Sequence, residues 1–597
     1  MTEREAHEFD VIVIGAGGAG LRAAIEARAE GARTALICKS LLGKAHTVMA
    51  EGGVAAALGT VYPEDNWEVH FRDTMRGGKM LNNWRMAQIH AREAPERVLE
   101  LEEWGALFDR TGDGRILQRD FGGHRYARLA HVGDRTGLEM IRILQHKAVA
   151  ADIDVFMECT VVRLLKDGDR IAGALAYWRE SGKFVEFRAP AIVLATGGIG
   201  KAYKVTSNSW EYTGDGHALG LWAGAELIDM ECVQFHPTGM VWPPSVMGIL
   251  VTEGVRGDGG ILRNGPGERF MFHYISEMFR AETADTEEEA DRWYTDRKAA
   301  RRPPDLLPRD EVARAIVAEI KEGRGTPHGG VYLDIASRQN PDFITRRLPG
   351  MHHQFKELAD VDITKEPMEV GPTCHYVMGG LKVDAETAAA TVPGLFAAGE
   401  VAAGMHGANR LGGNSLSDLL VFGRRAGRAA AEYARALHVR PEPTSDQADE
   451  IARAALQPFE RRAGENPYGL QQDLQDTMQA LVGIIRTEDE LKKALDRLAE
   501  LKERAESATA EGNRLYNPGW HLALDLRSLI AVSETIALAA LERKESRGAQ
   551  TREDYPQPDP EFAKVNIVVR MKDGEPYVDR APLEPLPDEL RAIVEAN

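Results

Sequence analysis

The sequence predicts an α/β fold built on a parallel sheet, interrupted by an insert and followed by a mainly helical region. Three observations predict it. Residues 9–38 run apolar strand, glycine turn, helix, strand. Residues 236–374 change character, with short elements, Pro and Gly punctuation and scattered His and Arg. Residues 446–545 then carry helical periodicity.

Phe9-Asp10-Val11-Ile12-Val13-Ile14 reads as a buried strand stopped by glycine. Gly20 to Glu30 reads as a helix ended by Gly31, and Thr34 to Cys38 as the next strand. This β–α–β order is what a Rossmann-like nucleotide-binding sheet requires. An amphipathic helix is expected over Ala91–Trp104, another over 131–151, and a hairpin-like β region from Val155. Ala191-Ile192-Val193-Leu194 is a strand entering the turn Ala195-Thr196-Gly197-Gly198. Within the insert, the charge-dominated residues 281–304 read as a solvated excursion. Residues 375–435 return to β and helix. The stripe Leu491, Ala494, Leu495, Leu498 and Leu501 is bundle core rather than a cofactor site. A last strand is expected at Val565–Met571.

The 597 residues suffice for several domains, and 43% hydrophobic with 28% charged residues is ordinary for a soluble globular protein. A net charge of −19 makes nucleic acid a poor partner. Cys38, Cys159, Cys232 and Cys374 are far apart and form no CxxC, so no iron–sulfur or zinc site is expected, and a reducing compartment fits. The polar start, Met1-Thr2-Glu3-Arg4-Glu5, reads as neither secretory signal nor transit peptide. No apolar run is long enough to cross a bilayer, so membrane attachment is expected through a partner.

Gly15-Ala16-Gly17-Gly18-Ala19-Gly20 fits G-x-G-x-x-G between a strand and a helix. The first glycine makes the turn, the second lets backbone approach a pyrophosphate, and the third lets helix pack on sheet. An acid usually closes the second strand to bind ribose; here Cys38-Lys39-Ser40 stand there, and a backbone or hydroxyl contact is expected instead. A short step later comes Lys44-Ala45-His46-Thr47-Val48-Met49-Ala50-Glu51-Gly52-Gly53. An imidazole beside Thr47 and a flavin-sized Gly52-Gly53 loop points to His46 bonded covalently to FAD.

Other motifs leave alternatives open. Thr213-Gly214-Asp215-Gly216 either brings a carboxylate to a cofactor hydroxyl or forms an Asx turn. Glu400, ending the strand Leu395-Phe396-Ala397-Ala398-Gly399, either accepts bonds from cofactor hydroxyls or caps the next turn. In His406-Gly407-Ala408-Asn409-Arg410-Leu411-Gly412-Gly413-Asn414-Ser415-Leu416, Ser415 is expected to cap the following helix. That helix N-terminus would favour the anionic end of a reduced flavin, and Arg410 offers a fork to a carboxylate. The insert adds His236-Pro237-Thr238-Gly239, the run from Thr252 and Glu253 through Arg256 to Gly260, Arg309-Asp310 and Cys374-His375-Tyr376. Each is a site element or a satisfied core histidine, a turn or a surface ion pair. Together they suit a small dicarboxylate.

These motifs closely resemble the flavoprotein subunits of succinate dehydrogenase and fumarate reductase, over nearly the whole chain. Gly-Ala-Asn-Arg-Leu-Gly-Gly-Asn-Ser-Leu is highly specific, and Arg543-Lys544-Glu545-Ser546-Arg547-Gly548-Ala549 matches the C-terminal motif. The resemblance implies an FAD-binding domain (residues 1–235 and 375–435), a mobile α+β capping domain (236–374), a helical bundle domain (436–545) and a small C-terminal domain (546–597). By motif, His46 would hold FAD covalently, with Gly15 to Gly20, Asp215, Glu400, Ser415 and Leu416 in contact. His236, Thr252, Glu253, His375 and Arg410 would bind the dicarboxylate. Arg309 would shuttle the proton, relayed by Glu253 and Arg256.

The implied reaction is oxidation of succinate to fumarate. Electrons would leave through a separate iron–sulfur subunit docked on a membrane anchor at the cytoplasmic face. Fumarate reduction is the reverse alternative. L-Aspartate oxidase shares the architecture but lacks the flavin-linking His. A non-catalytic or tRNA-modifying FAD protein fits neither the acidic charge nor the Arg/His site. Four positions stand out against the family pattern. Lys44-Ala45 stands where Arg-Ser is usual, and Gln550 where His is usual. Glu51 stands where dehydrogenases often have Gln and some fumarate reductases Glu.

Overall fold

The computed structural model describes residues 4–596; Met1 to Glu3 of the N-terminal reading lie outside them. At its centre is a five-stranded sheet in the order Leu395–Ala397, Ala191–Leu194, Val11–Ile14, Thr34–Ile37, Asp154–Phe156. All four pairings are parallel. The strands are continuous runs of Val, Ile, Leu, Ala and Phe with little polar interruption, and the central three are fully buried. That pattern marks a parallel sheet covered on both faces. Helices Gly18–Ala29 and Asn414–Ala436 pack against it and each other. The cofactor half of the fold is therefore assembled from both ends of a 400-residue stretch.

A second sheet, Val233–Met240, Met368–Val377, Val331–Asp334, Ile261–Arg263, carries the insert. It has its own apolar core, including Met240, Val255, Phe270, Ile316, Leu333 and Val370. The strands entering and leaving it run across the sequence-derived limits at 236 and 374, so the insert hangs from two antiparallel neighbours. Four long helices follow: Ser445–Glu460, Pro467–Leu481, Glu488–Glu506 and Pro518–Glu542. In the third, Leu491, Ala494, Leu498 and Leu501 are buried, which is the expected bundle core. Val565–Lys572 and Glu575–Pro582 form a hairpin completing a small sheet with Leu227–Ile228. No helix among the described residues is long and apolar enough to cross a membrane.

Three local expectations need correction. The helix expected from Ala91 begins at Trp84, because Asn83 accepts from the N–H groups of Arg85 and Met86 and caps it there. Ser415 is not a cap: the helix starts at Asn414 behind Gly413, and the Ser415 hydroxyl accepts from Arg410 Nη1 at 2.7 Å. Residues 281–304 are a solvated excursion only in part: 285–288 and 295–299 are exposed, but the segment has a buried side of its own. Thr283, Ala284, Ala290 and Trp293 are buried, and Ala284 N–H donates to the Arg302 carbonyl at 2.8 Å, closing the segment on itself. Part of its charge, at Asp285, Glu289, Asp291, Arg297, Arg301 and Arg302, is spent on ion pairs, which a charge count along the chain cannot distinguish from solvation.

Candidate functional site

The strand ends, the insert and the helix at Asn414 converge on one cleft enclosing about 1550 Å³, its open mouth included. The glycine loop forms its floor. A Cβ on Gly15, whose φ is +111°, would lie 2.2 Å from the Ala195 carbonyl oxygen. One on Gly20 would lie 1.7 Å from the Gly15 oxygen. Gly17 differs: a Cβ there would meet only Ala45 Cβ and Thr47 Oγ1, at 3.4 and 3.5 Å. The first and third glycines are thus demanded by the fold, while the second leaves room for a ligand. This cradle, at a helix N-terminus whose N-cap is a glycine and where only the Gly18 N–H meets a side chain, the Thr47 hydroxyl at 3.2 Å, fits the pyrophosphate of a dinucleotide.

Lys39 forms the neighbouring wall. Its ammonium lies 3.0 Å from Asp215, 2.7 Å from Asp525 and 2.9 Å from the Thr213 hydroxyl. Burial would lower the Lys39 pKa, but the two carboxylates outweigh it and hold the ammonium charged. Asp215 opens the helix Asp215–Ala223 with its charge already partly neutralised. Glu400 is buried and accepts from the Val377 N–H at 3.0 Å; burial pushes its carboxyl up to about 8.

His46 sits further along the cleft in a single helical turn, His46–Met49. Its ring meets Tyr212 edge-on at 5.0 Å and His375 at 6.0 Å. Burial, then Arg410, pulls its pKa down to about 4, so the imidazole is neutral at pH 7. Its Nδ1 is buried without a partner, while Nε2 lies 3.4 Å from the Asn208 amide. A neutral imidazole in a residue that lines the cleft keeps one ring lone pair and is chemically suited to be alkylated.

Cations gather on the insert side. Gln234 organises them. Its amide nitrogen donates to Asn409 Oδ1 and the Arg410 carbonyl, both at 2.8 Å. Its oxygen accepts from Arg410 Nη2 at 3.1 Å and Arg309 Nη1 at 3.4 Å. Two guanidiniums therefore share one neutral oxygen. Burial, then repulsion from Arg309, brings Arg410 down to about 9, and its Nε has no partner. Tyr376 lies under the Arg410 guanidinium, 4.3 Å from ring centroid to Cζ. His236 and His375 face each other at 5.2 Å, both kept neutral by burial and by Arg309. The Ser207 hydroxyl bonds His375 Nδ1 at 2.8 Å, and His236 Nδ1 meets the Thr238 carbonyl at 3.0 Å.

Behind this face runs a charged chain. Arg309 Nε donates to Glu253 Oε2 at 3.0 Å, and Arg256 Nη2 lies 3.8 Å from the same oxygen. Glu253 Oε1 accepts from the Gly122 N–H at 2.6 Å. Burial would raise the Glu253 carboxyl, but Arg256, Arg309 and that N–H hold it below its ordinary value. Arg256 is fully buried, with Nη1 donating to the Asp305 carbonyl at 2.5 Å.

Of the residues singled out in the sequence, Gly15, Ala16, Gly17, Gly18, Ala19, Cys38, Lys39, Ser40, His46, Thr47, Gly52, Gly53, Asp215, His236, Thr252, Glu253, Arg309, His375, Glu400, Arg410, Ser415 and Leu416 all line the cleft. Two do not. Gly20 is turned inward against the Gly15 backbone, and Arg256 lies one layer behind, reaching the cleft only through Glu253. Gln234, Tyr212, Asn208 and Phe121 also belong to the site, though the sequence does not single them out. Gln234 carries a usable signal: it stands two residues before His236 on a strand, hence on the same face. The others carry none, since they belong to loops brought in by tertiary folding.

A glycine-loop sheet joined to a cationic pocket defines the class: an FAD-dependent oxidoreductase. The family model for an FAD binding domain matches residues 10–416, and that for the fumarate reductase flavoprotein C-terminus matches 471–588. The chain belongs to the succinate dehydrogenase and fumarate reductase flavoprotein family. It is 42% identical to one chain of the fumarate reductase (CoM/CoB) of Methanothermobacter marburgensis, covering 97% of this protein and 100% of that one. It is 36% identical to the succinate dehydrogenase flavoprotein subunit of Rickettsia bellii, covering 99% and 98%. Among solved structures, Mycobacterium smegmatis Sdh1 in complex with UQ1 superposes with a TM-score of 0.85 at 60% identity, covering 98% and 95%.

Proposed function

We propose that this subunit oxidises succinate to fumarate, with FAD bonded covalently to His46. Its electrons pass to a separate iron–sulfur subunit held on a membrane anchor at the cytoplasmic face. The observation that carries the dicarboxylate assignment is the pair of guanidiniums, Arg309 and Arg410, sharing the Gln234 oxygen in a buried pocket. With Arg256 they are three buried cations beside one ionised carboxylate, Glu253. A dianionic ligand would balance them, and fixed cations of this kind cost no reorganisation during reaction.

Arg410, His236, His375 and Thr252 hold the two carboxylates of the substrate. Gln234 keeps the Arg410 fork turned toward them. FAD, when bound, supplies the acceptor for the hydride that leaves one methylene carbon. Arg309 first passes a proton to the ionised Glu253, 3.0 Å away, and the guanidine so freed takes the proton from the adjacent carbon; Arg256 is the next carrier after Glu253. Such a role needs a closed cationic site that lowers the proton affinity of Arg309, since in water Arg holds its proton too tightly to serve as a base. The residues around the glycine cradle hold the cofactor's pyrophosphate, and Lys39, Asp215 and Glu400 its hydroxyls. The insert, 236–374, acts as the cap that closes the site.

The chain's four cysteines are separate and buried, and no cluster able to hold a metal occurs among the described residues. The iron–sulfur relay therefore belongs to a partner in this reading. The decisive experiment is peptide mass spectrometry of the purified complex with turnover in both directions. The His46 peptide should carry the flavin mass. His46→Ser should retain FAD non-covalently and lose succinate oxidation far more than fumarate reduction, because the untethered flavin is a weaker oxidant. Acid release of all flavin from the assembled complex would sink the covalent assignment.

A further inference from the structure

Residues 283–302 form a compact loop whose ends meet, Ala284 N–H on the Arg302 carbonyl at 2.8 Å. One side is rooted in the insert. Asp291 pairs with Arg269 at 3.0 Å and Arg338 at 2.6 Å, and Trp293 is buried. The other side reaches across to residues outside the insert. Arg297 pairs with Asp120 and donates to the Tyr62 hydroxyl at 3.1 Å; Arg302 approaches Asp120 to 3.9 Å. Both guanidiniums stack on Trp293, at 4.4 and 5.6 Å. The Asp120 carboxylate is about nine-tenths buried.

Asp120 is two residues from Gly122, whose N–H binds Glu253 Oε1, and adjacent to Phe121, which lines the cleft. The loop touches the proton chain at a second point: the Tyr294 hydroxyl donates to the Arg256 carbonyl at 2.9 Å. The insert is thus tied to the rest of the molecule beside the residues that position Arg309.

We propose that Asp120 is a positioning residue for the dicarboxylate chemistry: by gripping Arg297 and Arg302 it holds the insert closed and keeps the Arg309–Glu253 pair against Gln234 and Gly122, which lie outside the insert. This rests on the proton role given to Arg309 above. The physical reason is geometric. A charged contact that spans two bodies fixes their separation, and a shift of about 1 Å in a reacting group costs on the order of a hundredfold in rate.

The test uses the assembled complex and malonate as the non-reacting probe. Asp120→Asn and Arg297→Gln should each lower kcat about 10–100-fold, with malonate affinity changing far less and flavin content unchanged. Arg297 is partly exposed, so its variant tests the idea even if Asp120→Asn misfolds. Asp120→Glu should recover part of the rate. Adding Arg297→Gln and Arg302→Gln to Asp120→Asn should cost little more, because all three break one contact. With malonate bound, amides of residues 300–309 should exchange faster in the variants. Arg301→Gln is the control: the ion pairs of Arg301, with Asp285 and Glu289, stay within the loop, and the variant should leave kcat intact. The proposal is overturned if Arg297→Gln and Asp120→Asn turn over normally while Arg309→Lys is inactive. Equal losses in kcat and malonate affinity, or a matching loss from Arg301→Gln, would overturn it too. A fully active Arg309→Lys would instead remove the proton assignment beneath it.

Discussion

The two ends of the cleft are built in opposite ways. At the glycine loop the ligand surface is backbone: Gly15, Gly17 and Gly20 come from one hexapeptide, and what matters is where a Cβ cannot or need not be. At the insert face the surface is charged side chain: Gln234, His236, Glu253, Arg309, His375 and Arg410 come from strands, turns and helix starts spread over nearly 180 residues. A backbone site tolerates no change in local conformation and little else. A side-chain site survives local change but fails when one charge in a buried set loses its partner. The two ends should therefore fail in different ways.

The largest effect is expected at the insert face. Arg309→Lys keeps a positive charge but loses the planar fork between Glu253 and Gln234. Turnover should fall by about 10²–10⁴-fold in both directions, while malonate still binds. Arg410→Ala should differ, removing roughly 2–5 kcal/mol of dicarboxylate binding by breaking a buried charge contact. Steady-state kinetics paired with malonate titration separates the two. If Arg309→Lys only weakens malonate binding, the proton travels by another route and the contrast between the two arginines disappears.

The glycine end should respond by position. Gly20→Ala places a methyl 1.7 Å from the Gly15 oxygen, so the helix must move off the sheet, at a cost of about 1–3 kcal/mol. Gly17→Ala meets nothing closer than 3.4 Å within the protein. It should fold with near-native thermal stability yet lose most of its bound flavin, read from the absorbance spectrum. Full flavin occupancy in Gly17→Ala would mean the pyrophosphate lies elsewhere in the cleft.

A smaller, shared effect concerns pH. Burial pulls His90 down to about 3 and His217 to about 4, and both are fully buried. Unfolded, each would titrate near 6.5. Below that pH the unfolded chain binds protons the native one does not, so native stability falls as pH drops. The loss is about 1.4 kcal/mol for each imidazole at pH 5.5, growing until the native pKa is passed. Proton uptake on acid unfolding between pH 6.5 and 4 checks this; uptake unchanged in His90→Gln would show that His90 is already protonated in the native state.

Much of this is legible in the chain. The strand Val11–Ile14, the glycine turn, the bundle stripe at Leu491–Leu501 and the strand at Val565 announce themselves through apolar periodicity. Gly20 is legible as the packing glycine of its motif, but its expected contact with the cofactor is not found, because it is turned against the Gly15 backbone. The loop at 281–304 misleads in part, because its charges look the same along the chain whether they face water or, like Arg297, Asp291 and Arg301, meet Asp120, Arg269 and Glu289. Ser415 misleads as a cap because its partner, the Arg410 fork, is a side chain whose direction the sequence does not carry.

The sequence by itself determined what depends on neighbours along the chain: the backbone of the glycine loop, the helix and strand periods, and which residue types are available for chemistry. Only the tertiary structure decided what depends on neighbours in space. It brought Gln234 between Arg309 and Arg410, put Arg256 behind Glu253 rather than in the cleft, and set Asp120 against Arg297. Backbone geometry is fixed by torsions over a few residues, whereas the protonation and orientation of a buried side chain are fixed by the desolvation and charges that distant segments bring to it.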